Sequence, residues 1–233
     1  MSTVTVDGMI PMHPQMDNFE IYYKEDMKYV ERGQRSLYLQ IIGPIGMNHP
    51  VPCIVYIPGS AFHEQNVKER IPQLSYLAQR GFVVAAPEYR GSECAPFPAQ
   101  TLDAKAGVSF MREHAEEYGI HPENIFLMGD SSGGHTALMA AFSYGIPALE
   151  EKGREINRPI VKGVIDLYGP TNFLTMNDEL VPFGQSCQLY ESLKKAKKDA
   201  IFYQVIGAHH GGREFWTKEV LDIEEQFIRR CCE

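Results

Sequence analysis

Hydrophobic positions along the chain change period repeatedly, and each change marks an element. Leu37, Leu39 and Ile41 alternate with Tyr38, Gln40 and Ile42, which predicts a strand. Residues 51–57 (VPCIVYI) form an apolar run closed by Pro58-Gly59, a second strand. Ile71, Leu74, Leu77 and Ala78 fall on one face of a helix over 67–80, and Gly81 ends it. The short β-branched run 82–86 (FVVAA) fits a strand buried on both faces. Leu102, Ala106 and Phe110 define the next helix, which stops before Gly119. Strand 125–128, helix 133–143, strand 161–167, helix 185–196, strand 201–206 (IFYQVI) and helix 213–230 complete the pattern. Strand–helix alternation over most of the chain predicts an α/β fold, a mainly parallel sheet covered by helices on both faces. With no repeat, linker or low-complexity segment, residues 1–233 read as one domain.

Charge narrows the partners. The chain carries 22 Lys+Arg against 30 Asp+Glu, a net charge of −8. Nucleic acid is disfavoured, because its affinity comes mainly from Lys and Arg on phosphates. An anionic membrane surface is disfavoured for the same reason. No apolar run reaches the length of about 18 residues that a span needs, and residues 1–20 show no basic-then-apolar leader. The five cysteines have no framework spacing, which suits a reducing cytoplasm. Cys231 and Cys232 are expected in an exposed, frayed tail. No His-x-x-x-His or Cys-x-x-Cys cluster suggests a metal, and no cofactor is implied.

The candidate chemistry lies between strand 125–128 and helix 133–143. Gly129-Asp130-Ser131-Ser132-Gly133 is Gly-x-Ser-x-Gly in a strand–turn–helix setting. Such a turn holds Ser131 above the sheet in a strained conformation, and Gly129 and Gly133 let strand and helix approach. The helix start supplies free N–H groups, so the Ser132 N–H is placed to bind an oxyanion. An activated serine needs a base, and the base needs a carboxylate to orient it. Downstream lie His135, His209 and His210. His135 is one turn into the helix and reads as structural. His209 and His210 follow strand 201–206, and His210 is preferred over its neighbour. Asp166, Asp178 and Glu179 are the candidate acids, with Asp178 preferred and Asp166 read as a loop-holder.

These residues resemble the α/β-hydrolase superfamily, in particular small esterases and acetyl esterases related to hormone-sensitive lipase and to bacterial acetylxylan and feruloyl esterases. The resemblance is carried by residues 57–62 (IPGSAF), Tyr89-Arg90, residues 96–100 (PFPAQ), 129–135, 178–182 (DELVP) and 209–212 (HHGG). It implies Ser131, Asp178 and His210 as a triad, since the family's acid precedes a Val by three and its His precedes a Gly. It also implies a second oxyanion donor at Ser60, where Pro58 and Ser60 replace a His and a Gly of the family's turn. The implied reaction is hydrolysis of a small-molecule ester through an acyl-enzyme. Lack of room for a large helical cap favours short acyl groups, acetyl above all, with a sugar as one possible alcohol. Phe62, Tyr89 and Phe97 are the aromatic candidates for lining the site, and Trp216 is ambiguous between site and core. A binding protein on the same fold, and a peptidase of related fold, are the competing readings.

The chain is short between Tyr168 and Asp178. We expect strand 161–167, helix 185–196 and strand 201–206 to form one right-handed βαβ unit, with one strand fewer than the family norm. The alternative is a homo-oligomer that exchanges strands between molecules.

Overall fold

The computed structural model describes residues 12, 19–151, 160–173 and 181–233. Among the described residues six strands form one sheet: β1 (Ile21–Arg32), β2 (Arg35–Pro44), β3 (Val51–Ile57), β4 (Val83–Pro87), β5 (Ile120–Asp130) and β6 (Gly163–Leu167). Their order is β1-β2-β4-β3-β5-β6. The β3–β4, β3–β5 and β5–β6 pairs are parallel, while β1–β2 and β2–β4 are antiparallel.

The α-helices of the described residues are α1 (Ile71–Ala78), α2 (Ala99–Glu113), α3 (Ser132–Phe142), α4 (Phe183–Lys195) and α5 (Lys218–Cys232). Alternation along the central strands divides the core. Cys53, Val55 and Ile57 pack with Ala104 and Val108 of α2 and Ala137 and Ala140 of α3. Ile54 and Tyr56 face the other way, onto Leu74 and Leu77 of α1 and Leu221 and Ile228 of α5. Both faces are buried, so β3 and β4 read as continuous apolar runs. Each such Leu or Ile contributes roughly 1.5–3 kcal/mol of burial.

β1 has no counterpart in the sequence reading. Its register slips between Lys24 and Met27 and again between Lys28 and Val30, so its polar–apolar alternation is broken. The first slip has a purpose in the core. Gln40 is fully buried, and it is satisfied there by the Tyr23 hydroxyl (2.6 Å), the Asp26 N–H (3.2 Å) and the Asp26 carboxylate (2.9 Å).

The expected βαβ unit does not form. Residues 201–206 make no strand and no ladder with β6, which is an edge strand among the described residues. Phe202 instead packs on two rings of α4, Phe183 at 5.6 Å and Tyr190 at 5.5 Å. Ile201, Tyr203 and Ile206 are left exposed. The strand expected over 201–206 is absent: IFYQVI has β-propensity, but a strand exists only where a neighbour completes its hydrogen bonds. The C-terminus also differs from expectation. α5 runs through Cys232, and both cysteines pack half-buried against the second core cluster.

The chain leaves β3 toward β4 on one side and returns to β5 on the other. The carboxyl ends of β3 and β5 lie at this reversal, the position where open α/β sheets place their ligands. The loop after β3 and the turn after β5 therefore meet at one point.

Candidate active site

Ser131 caps α3 with φ 52° and ψ −126°, a conformation that a residue with a Cβ rarely adopts. Three features hold it there. A side chain at Gly129 would collide with the Gly133 carbonyl, and one at Gly133 with the Ile57 carbonyl, so both positions require glycine. The Ser131 N–H donates to the Leu167 carbonyl of β6 at 2.9 Å. The Ser131 carbonyl accepts the His135 N–H at 3.1 Å.

Asp130, 3% exposed, fastens the turn to its surroundings. Its Oδ1 accepts the Tyr56 hydroxyl at 2.5 Å and the Gly59 N–H at 2.8 Å. Its Oδ2 faces the Tyr168 hydroxyl at 3.4 Å and the Arg70 guanidinium at 3.5 Å. One carboxylate thus joins β3, the loop after it and the loop after β6.

His210 reaches this turn from 79 residues away, with its Nε2 2.8 Å from Ser131 Oγ. Its ring packs edge-on against Tyr168, with centroids 4.8 Å apart, and Tyr168 packs on Phe215 at 4.5 Å. Burial holds the His210 imidazole below its ordinary range, and the Asp130 charge pulls it back up. His210 is therefore a neutral acceptor near pH 7. His209 is exposed and makes no such contact. Asp178 and Glu179 lie outside the described residues. Among the described residues no carboxylate hydrogen-bonds the His210 ring, and the charge acting on it is that of Asp130. Asp166 holds a loop, as its position suggested: its Oδ1 accepts the Gly169 N–H at 3.0 Å, and burial pushes its carboxyl up to about 7.

The loop after β3 differs from expectation in detail. The Ser60 N–H donates to Ser132 Oγ at 2.9 Å, and so is already engaged by a protein acceptor. Ala61 and Phe62 both have positive φ, 52° and 66°. The Ala61 N–H has no partner among the described residues. The Ser132 N–H opens α3 and, as the first of a helix, has no intrahelical acceptor.

The three aromatic candidates fall in different places. Phe62 lies against His135 (5.7 Å) and Phe173 (5.8 Å), a cluster beside the serine turn. His135 is held there by the Pro170 carbonyl, 2.8 Å from Nδ1, and burial lowers its basicity. Tyr89, in contrast, is 1% exposed and sits under the loop, its hydroxyl donating to the Pro58 carbonyl at 2.8 Å. It is a support of the loop and not a surface of the site. Phe97 is 58% exposed and makes none of the ring contacts that join Phe62, His135 and Phe173. Trp216 belongs to the core, edge-on to Tyr56 at 5.9 Å. Sequence reasoning missed Tyr168. Its signal was a Tyr one residue beyond a buried strand, which has no meaning until the fold sets it beside His210.

No group of three or more His, Cys, Asp or Glu among the described residues could hold a metal. No helix among them is long and apolar enough to cross a membrane.

A mixed sheet with a serine at the tight turn after β5 and a histidine on a late loop defines an α/β-hydrolase fold. The chain belongs to the BD-FAE family, whose model matches residues 39–200. Among curated relatives it is 29% identical over 160 residues to the probable carboxylic ester hydrolase LipM of Mycobacterium tuberculosis, covering 67% of this chain and 37% of that one. It is 29% identical over 136 residues to esterase LipQ of the same organism, covering 57% of this chain and 32% of the relative. The chain therefore spans about a third of the length of these relatives. Solved structures share the fold. A truncated carbohydrate esterase from gut microbiota superposes with a TM-score of 0.80 at 22% identity, covering 94% of this chain and 98% of that one. Esterase Est2 of Thermogutta terrifontis, with propionate bound, gives 0.72 at 22% identity, covering 93% and 96%.

Proposed function

We propose that the protein is a serine ester hydrolase acting on short-chain, acetyl-type carboxylic esters, with esterified carbohydrates as one substrate class. The observation that carries this reading is the 2.8 Å contact of Ser131 Oγ with His210 Nε2 on a strained strand-to-helix turn. A neutral imidazole at that distance is a general base for the hydroxyl. The likeness to relatives named as esterases supports the same chemistry.

Ser131 Oγ attacks the ester carbonyl while His210 takes its proton. The oxyanion that forms is held by the Ser132 N–H and by the Ala61 N–H. Ser60 belongs to the loop that presents the Ala61 N–H, and α3 presents that of Ser132. His210 then protonates the departing alcohol, and a water deprotonated by His210 releases the acid from the acyl-enzyme. Asp178 is the proposed orienting acid, from its place in the sequence. Phe62, beside the serine turn, is proposed to flank the acyl group, and its crowding by His135 and Phe173 favours small acyl chains.

The test is labelling by a fluorophosphonate together with hydrolysis of p-nitrophenyl acetate and octanoate. We expect one label per chain, lost in Ser131→Ala and His210→Ala, and faster turnover of the acetate. Absence of labelling in the intact chain sinks the hydrolase reading in favour of a binding protein. Faster turnover of the octanoate sinks the short-chain preference.

A further inference from the structure

The loop from Pro58 to His63 is unstable by its own conformational preferences. Ala61 and Phe62 are consecutive, neither is glycine, and both have positive φ. Each such residue costs on the order of 1–2 kcal/mol, so the surroundings must over-determine the conformation.

The groups that do so converge on one side chain. Ser132 Oγ accepts the Ser60 N–H at 2.9 Å and the Phe62 N–H at 3.3 Å. These two amides flank Ala61. Ser132 is 2% exposed, so the acceptor itself is shielded from water. A serine in the first turn of a helix commonly turns its hydroxyl back onto its own backbone. Here the Ser132 carbonyl is instead taken by Thr136 Oγ1 at 2.9 Å, and the Ser132 hydroxyl points across to another loop.

A second layer supports the first. Tyr89, beneath the loop, lies 2.9 Å from Ser60 Oγ and holds the Pro58 carbonyl at 2.8 Å. Ser60 Oγ donates to the His63 carbonyl at 2.6 Å. The hydroxyls of Ser60 and Ser132 oppose the rise that burial imposes on the Tyr89 phenol.

We infer that the Ser132 hydroxyl is a positioning residue: it clamps the amides on either side of Ala61 and so fixes the Ala61 N–H relative to the N–H of Ser132 itself. A single residue then supplies one oxyanion donor through its backbone and sets the other through its side chain. The inference rests on the esterase reading above for its kinetic consequence, though not for its structural one. Replacing Ser132 by Ala keeps the backbone donor and removes the acceptor of two part-buried amides. The loop relaxes out of the positive-φ conformation and the two donors lose their mutual geometry.

The experiment compares Ser132→Ala, Ser132→Thr and Tyr89→Phe with the intact chain. Fluorophosphonate labelling of the intact chain is read first, and its absence sinks the esterase reading alone. With p-nitrophenyl acetate, Ser132→Ala is expected to lower kcat by about 10- to 100-fold, the scale of a donor displaced by about 1 Å, with KM within about threefold. Affinity for a trifluoromethyl ketone, which forms a tetrahedral adduct, should fall by the factor lost from kcat/KM. Ser132→Thr, which retains the hydroxyl, should recover most of the loss, and Tyr89→Phe should lose less than Ser132→Ala. Amide hydrogen exchange needs no turnover: protection of the Ser60 and Phe62 amides should drop in Ser132→Ala. A Ser132→Ala variant with kcat within threefold of the intact chain overturns the inference. So does a loss confined to KM, or unchanged protection of the two amides.

Discussion

Asp130 offers a direct measure of how the turn, the loop after β3 and His210 are coupled. In Asp130→Ala two donors lose their acceptor: the hydroxyl of Tyr56, which is fully buried, and the Gly59 N–H, bonded at 2.5 and 2.8 Å in the intact chain. An orphaned buried donor costs about 1–3 kcal/mol, so Tyr56 alone predicts a loss of that size, and the part-buried Gly59 N–H adds less because water reaches it. Asp130→Asn keeps Oδ1 as an acceptor for both donors and presents its amide to the Tyr168 hydroxyl. It forfeits the charge assistance and turns a donor toward the Arg70 guanidinium, a smaller loss than that of the Ala variant. Urea unfolding with linear extrapolation separates the two variants. Activity adds an independent readout. Asp130 is the charge that raises the His210 imidazole, so its neutralisation should lower that group further and move the acid limb of kcat/KM to lower pH. Equal stability loss in the two variants would refute the orphaned-donor argument. An acid limb that stays in place or moves up in Asp130→Asn would refute the electrostatic one.

Other expectations follow from the same contacts. In the intact chain, kcat/KM should rise with pH through an apparent pKa below that of an ordinary imidazole, because burial disfavours the charged form and the neutral form is the base; a pH–rate profile checks the sign. Gly133→Ala should lose about 1–3 kcal/mol and nearly all activity, since its Cβ meets the Ile57 backbone, which cannot yield; thermal melts and acetate hydrolysis measure both. Glu224 has neither carboxylate oxygen bonded, and burial pushes it up to about 8. The native state therefore keeps its proton where the unfolded chain has released it, and stability falls as pH rises from about 5 to 8. Glu224→Gln removes that slope, worth a few kcal/mol, and unfolding at several pH values detects it. Asp178→Asn should lower kcat by about 10³- to 10⁴-fold with Ser131 still present, if residue 178 fixes the His210 tautomer; a loss under tenfold would assign the orienting role elsewhere.

The sequence alone determined what depends on neighbours along the chain. Helix periodicity, the buried runs of β3 and β4, and the glycines at 129 and 133 are local requirements of backbone geometry, and each appears where spacing placed it. The α/β class follows from their alternation. Only the tertiary structure decided which long-range partners meet. His210 and His209 are equivalent as letters, and the packing of Tyr168 and Phe215 selects one of them for Ser131. Tyr89 is as aromatic as Phe62, yet one supports the loop from below and the other stands beside the serine turn. Residues 201–206 have the composition of a strand but form no ladder with the β6 edge, and Phe202 packs on α4 instead. β1 was hidden because its bulges erase the alternation that reveals a strand, while serving the buried amide of Gln40. The physical division is between a backbone's own preferences, which repeat with a short period and can be read in order, and contacts whose free energy exists only once two distant segments have already been brought together.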